Sequence, residues 1–92
     1  MSEPVERVLP IINEKGLHAR ASAKFVETVE KFDAEASVTR DGMTVSGDSI
    51  MGLLMLAASR GSEIAISTRG TQAAELAEAL TDLVARRFGE DA

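Results

Sequence analysis

The chain's only histidine, His18, sits in the run Gly16-Leu17-His18-Ala19-Arg20-Ala21, where a glycine turn feeds a helical pattern. Ala19, Ala23, Val26 and Val29, with Phe25 and Phe32 beside them, recur at helical spacing and place His18 near the N-cap. The first turn of a helix leaves backbone N–H groups without acceptors, and the aligned peptide dipoles put partial positive charge there. A phosphate is a natural guest at such a point. Arg20 adds a planar fork of donors matched to phosphate oxygens. A neutral imidazole is a nucleophile toward phosphorus, and an ordinary histidine is largely neutral near pH 7. The positive helix end further disfavours the imidazolium. By itself a histidine at a helix start also fits a plain surface cap. One histidine and no cysteine leave no zinc ligand set, and no carboxylate spacing suggests another metal, so no metal and no cofactor is expected.

A second segment, Gly47-Asp48-Ser49-Ile50-Met51-Gly52-Leu53-Leu54-Met55-Leu56, opens with capping residues and becomes almost wholly apolar. Ser49 is the expected N-cap of a short helix that starts at Ile50 and is stopped by Gly61. The run is too short for the roughly 20 residues that cross a bilayer. A short helix that is apolar all round is either buried on both sides or buried on one and used for docking on the other.

With both segments in view, the chain resembles the HPr family, the small histidine phosphocarriers of the bacterial phosphoenolpyruvate phosphotransferase system. The family pattern of glycine, apolar residue, histidine, any residue and arginine appears within residues 16–22, and its regulatory pattern appears as Ser49-Ile50-Met51-Gly52-Leu53. The resemblance implies that His18 accepts phosphate on Nδ1 from phosphorylated enzyme I and passes it to a sugar-specific or nitrogen-related IIA protein. It implies that Arg20 assists at the phosphoryl group and that Ser49 is the target of an HPr kinase/phosphorylase. It also places partner docking on Ala21, Ile50, Met51 and Leu54. Two departures stand out: Ala21 replaces the usual proline and Ser22 the usual alanine. A first-turn proline mainly preorganises φ, so alanine preserves the helix. The lead-in Asn13-Glu14-Lys15-Gly16 and the run Leu53-Leu54-Met55-Leu56 lean toward the nitrogen-related branch.

These residues belong to a chain of 92 residues, 45% hydrophobic, which fits one domain spanning 1–92. The absence of cysteine excludes a disulfide scaffold and thiol chemistry. The N-terminus lacks the pattern of a secretory signal and no segment suits a bilayer, so a cytoplasmic protein is expected. A net charge of −5 with scattered Lys and Arg argues against nucleic acid as partner. Arg86 and Arg87 read as cations opposing the negative end of the last helix.

The positioning elements follow from periodicity. Val8, Leu9, Ile11 and Ile12 suggest a first strand interrupted by Pro10, which marks an edge strand or a bulge. A helix is expected over residues 19–32, then two strands joined at Asp41-Gly42, the short helix from Ile50, and a strand over residues 63–67. Gly70 and Thr71 supply a turn and cap, and Ala73, Leu76, Leu80, Leu83, Val84 and Phe88 form the stripe of a last helix. The order βαββαβα predicts an α+β open-faced sandwich: a four-stranded, mainly antiparallel sheet covered on one face by three helices. Ser37, Thr39, Ser67 and Glu63 then face solvent on the other side. The favoured reading is a monomeric phosphoryl carrier, a covalent intermediate rather than an independent enzyme, serving sugar transport or nitrogen regulation. The alternative is a purely regulatory binding module controlled at Ser49.

Overall fold

Asp41 and Gly42 both take left-handed backbone angles, with φ of 50° and 80°, as a two-residue hairpin turn matched to the strand twist requires. They join Glu35–Arg40 to Met43–Ser46, setting Val38 opposite Val45. In the computed structural model, which describes residues 3–92, these are strands β2 and β3. The full order is β1 (Val5–Pro10), α1 (Ala19–Glu30), β2, β3, α2 (Ile50–Met55), β4 (Glu63–Arg69), α3 (Ala73–Ala85) and a final 3₁₀ turn at Arg87–Gly89.

The four strands form one antiparallel sheet in the order β1-β4-β2-β3. Alternation explains its two faces. In β4, Ile64 and Ile66 are buried while Glu63 and Ala65 are exposed and Ser67 is half-buried, as a period of two dictates. Leu9, Val38, Ile64 and Ile66 of the inner face meet Phe25, Val26 and Val29 of α1, Leu53 of α2, and Leu76, Leu80 and Val84 of α3 in one core. Burying a Leu or Phe side chain contributes about 1.5–3 kcal/mol relative to leaving it exposed. The expected α+β open-faced arrangement is thus the observed one.

Several boundaries differ from the sequence reading. β1 starts earlier, at Val5, and Pro10 closes it rather than interrupting it; Val8 points outward and is 63% exposed. As an edge strand, β1 tolerates the proline, which has no N–H for the ladder. Helix α1 ends at Glu30, because the Lys31 and Phe32 amides donate three residues back, to Thr28 and Val29, in a tightened last turn. Helix α2 ends at Met55 without help from Gly61: Ala57 turns left-handed at φ 51°, and the Arg40 guanidinium donates to the Leu56 carbonyl at 2.9 Å. Gln72 rather than Thr71 is the N-cap of α3, and its side chain is committed instead to the Asp33 amide at 2.8 Å. Among the described residues, no helix is long and apolar enough to cross a membrane.

Candidate functional site

The loop before α1 is held by its own side chains. Asn13 is fully buried and donates through Nδ2 to the Gly16 carbonyl at 2.8 Å, while the Gly16 amide donates back to the Asn13 carbonyl at 3.2 Å. Gly16 has φ 66°, and a Cβ there would lie 2.5 Å from the Ala58 carbonyl oxygen. Only glycine suits both the left-handed angle and the close approach. The next residue, Leu17, is buried and its amide donates to that same Ala58 oxygen at 2.8 Å. Ser22 Oγ donates to the Leu17 carbonyl at 3.3 Å, tying the helix back to its entry turn.

This leaves His18 as the N-cap of α1, in extended backbone with φ −80° and ψ −177°. The first main-chain bond of the helix runs from the Ser22 amide to the His18 carbonyl at 2.8 Å. The amides of Ala19, Arg20 and Ala21 therefore have no acceptor among the described residues. The imidazole does not cap them. Its side chain is 26% exposed, enough for a partner to reach. Arg20 is exposed and has no ion pair among the described residues. It lines, with His18, Glu14, Lys15 and the last three residues, a shallow cleft of about 210 Å³. His18 and Arg20 thus share one cleft at the start of α1.

Glu90, which sequence reasoning does not find, completes the cluster. Its Oε2 meets His18 Nε2, and its Oε1 accepts from Asn13 Nδ2 at 3.0 Å. Burial alone would raise this carboxyl, but the bonds from His18 and Asn13 and the charge interactions with His18 and Lys15 hold it below the ordinary glutamate value. Seventy-two positions separate Glu90 from His18, so no local spacing could reveal the pair. The one available signal is Phe88, which the sequence pattern counts in the apolar stripe of the last helix; the structure ends α3 at Ala85 and places Phe88 in the following 3₁₀ turn, anchoring the chain two residues before Glu90. Phe88 is fully buried and its carbonyl accepts from Lys24 Nζ at 2.6 Å.

Ser49 is the N-cap of α2, its Oγ accepting from the Gly52 amide at 3.0 Å. Leu53 packs inward, whereas Ile50, Met51 and Met55 are 40%, 69% and 63% exposed. Leu54 is half-buried. Ala21 does not join this surface: it is fully buried beneath α1, so its assignment to docking is corrected. Among the described residues, no group of three His, Cys, Asp or Glu could hold a metal ion.

Comparison with solved structures defines the class first. HPr-C-His from Thermoanaerobacter tengcongensis matches with a TM-score of 0.91 and 39% identity, covering 96% of this chain and 99% of that one. A phosphocarrier fold of the α+β open-faced type is thereby established. A family model described as "PTS HPr component phosphorylation site" matches residues 5–86. The phosphocarrier protein HPr of Neisseria meningitidis serogroup A is 49% identical over 86 residues, 94% of this chain and 97% of its own length. The phosphocarrier protein NPr of Shewanella violacea is 36% identical over 94% of each. The chain belongs to the HPr family of the phosphotransferase system.

Proposed function

We propose that the protein is a histidine phosphocarrier in which His18 Nδ1 takes a phosphoryl group from phosphorylated enzyme I and gives it to a IIA-type protein. The observation that carries this reading is the His18 side chain: partly exposed, at a helix start whose amides it leaves uncapped, in one cleft with an Arg20 that has no ion pair among the described residues. In each transfer the donor's bond to phosphorus breaks, its electron pair staying with the donor. On charging, the Nδ1 lone pair forms the new N–P bond; on discharge that bond breaks, its electron pair returns to Nδ1, and the acceptor's nucleophile bonds to phosphorus. The phosphoryl oxygens then lie where the amides of α1 and the Arg20 fork can donate to them. A carrier must not hold its cargo too tightly, and one exposed arginine suits onward transfer better than an enclosed pocket. The protein is then a covalent intermediate with no free small substrate. Ile50, Met51 and Leu54 supply the apolar docking face, with Ser49 as the regulatory site of an HPr kinase/phosphorylase. The greater identity to the Neisseria HPr than to the Shewanella NPr favours the general branch over the nitrogen-related one.

The test is incubation with phosphoenolpyruvate and enzyme I, comparing wild type with His18→Ala by intact mass. One phosphoryl group is expected on the wild type and none on the variant. Undiminished phosphorylation of the variant would overturn the role given to His18.

A further inference from the structure

From the seat of the Glu90 carboxylate on His18 Nε2 we infer that Glu90 is the positioning residue of the phosphoryl site, fixing the tautomer and orientation that present Nδ1 as the nucleophile. The inference rests on the carrier reading above and deepens it. An ionised carboxylate only accepts hydrogen bonds, so Nε2 must carry the proton. In the neutral ring that leaves the lone pair on Nδ1, which has no hydrogen-bond partner among the described residues. Glu90 is itself oriented: Asn13 Nδ2 holds its other oxygen, and the Asn13 amide cannot be turned over, because both its N–H bonds are taken by acceptors, Gly16 O and Glu90 Oε1. The price of that arrangement is a buried Asn13 Oδ1 without a partner. A polar side chain at 0% exposure, left one bond short, is the kind of local cost that persists where the surroundings fix a functional geometry.

The same contact matters during transfer. When Nδ1 bonds to phosphorus and Nε2 keeps its proton, the ring becomes cationic, and the Glu90 carboxylate faces that charge from the side away from the phosphoryl group. On discharge the N–P electron pair returns to Nδ1 and the ring is neutral again, still bonded through Nε2–H. Glu14, Lys15, Arg20 and Asp91 line the same cleft, but among the described residues only Glu90 is bonded to the imidazole.

The experiment compares wild type, Glu90→Gln and Glu90→Ala by ¹⁵N NMR of the labelled imidazole at a pH where the ring is neutral, and by the rate of phosphorylation with enzyme I. Wild type should show one tautomer, protonated at Nε2. Glu90→Gln, which keeps an acceptor but not the charge, should hold that tautomer and lose part of the rate. Glu90→Ala should give mixed tautomers and phosphorylation slower by about tenfold, the scale of one charge-assisted hydrogen bond. Unchanged imidazole shifts in Glu90→Ala, with the backbone amide spectrum intact, would overturn the inference whatever the rate. A wild type with the expected tautomer that takes no phosphate would instead count against the carrier reading alone, since the ring-positioning result does not depend on any partner.

Discussion

At the scale of single residues, the site is built from weak individual pieces whose directions agree. A glycine that nothing else can replace sets the turn, a buried asparagine locks it, and an imidazole is left with one nitrogen bonded and one open. The Glu90 carboxyl adds a pH signature. Because its folded-state affinity for protons is lowered, its bonds stabilise the protein fully above the unfolded glutamate value of roughly 4.3, and that contribution disappears as acid takes the pH down through the lower folded value. Urea unfolding of wild type and Glu90→Gln should therefore show wild type more stable at pH 7 and the difference narrowing below about pH 4. A gap that stayed constant into acid would mean the carboxylate is not held as the structure places it.

At the scale of elements, α2 combines a cap with an unburied apolar face, and the two separate by mutation. Ser49→Ala removes the Oγ acceptor of the Gly52 amide and should cost about 1 kcal/mol of stability. Met51→Glu, at a position 69% exposed, should change stability by no more than about 0.5 kcal/mol while weakening association with phosphotransferase partners. Calorimetric titration and thermal melts read the two effects apart, and unchanged partner affinity in Met51→Glu would remove α2 from the docking surface. Elements of this kind were the legible part of the chain. The alternation of Ile64 and Ile66 with Glu63 and Ala65, the Asp41-Gly42 turn and the α3 stripe are local patterns, and they led to the observed fold. Element ends were less legible because tertiary bonds decide them: Arg40 reaches from β2 to the end of α2, and Gln72 turns from its own helix to Asp33. His18, Arg20 and Ser49 fall where local spacing predicts, whereas the burial of Ala21 depends on which side of α1 meets the core.

At the scale of the whole molecule, the last residues are part of the site because the core holds them there. Phe88 is buried at φ 55° with its carbonyl on Lys24 of α1, which brings the chain back to the start of that helix. Phe88→Ala should cost about 3 kcal/mol or more, a fall in Tm on the order of 12 °C or more for a domain of this size, and should free Glu90 from His18 in whatever fraction stays folded. A melting point within a degree or two of wild type would show that the anchor is not Phe88. The hydrogen-bonded loop and the unbonded first turn stand side by side, and this has a consequence for solvent isotope labelling. The Leu17 amide, committed to Ala58, should retain its proton in deuterated water for as long as the core stays closed. The Ala19 and Arg20 amides, two positions further on, should lose theirs at once. Any anion that settled on the helix start would slow those two amides alone, giving a read-out of occupancy that needs no partner protein.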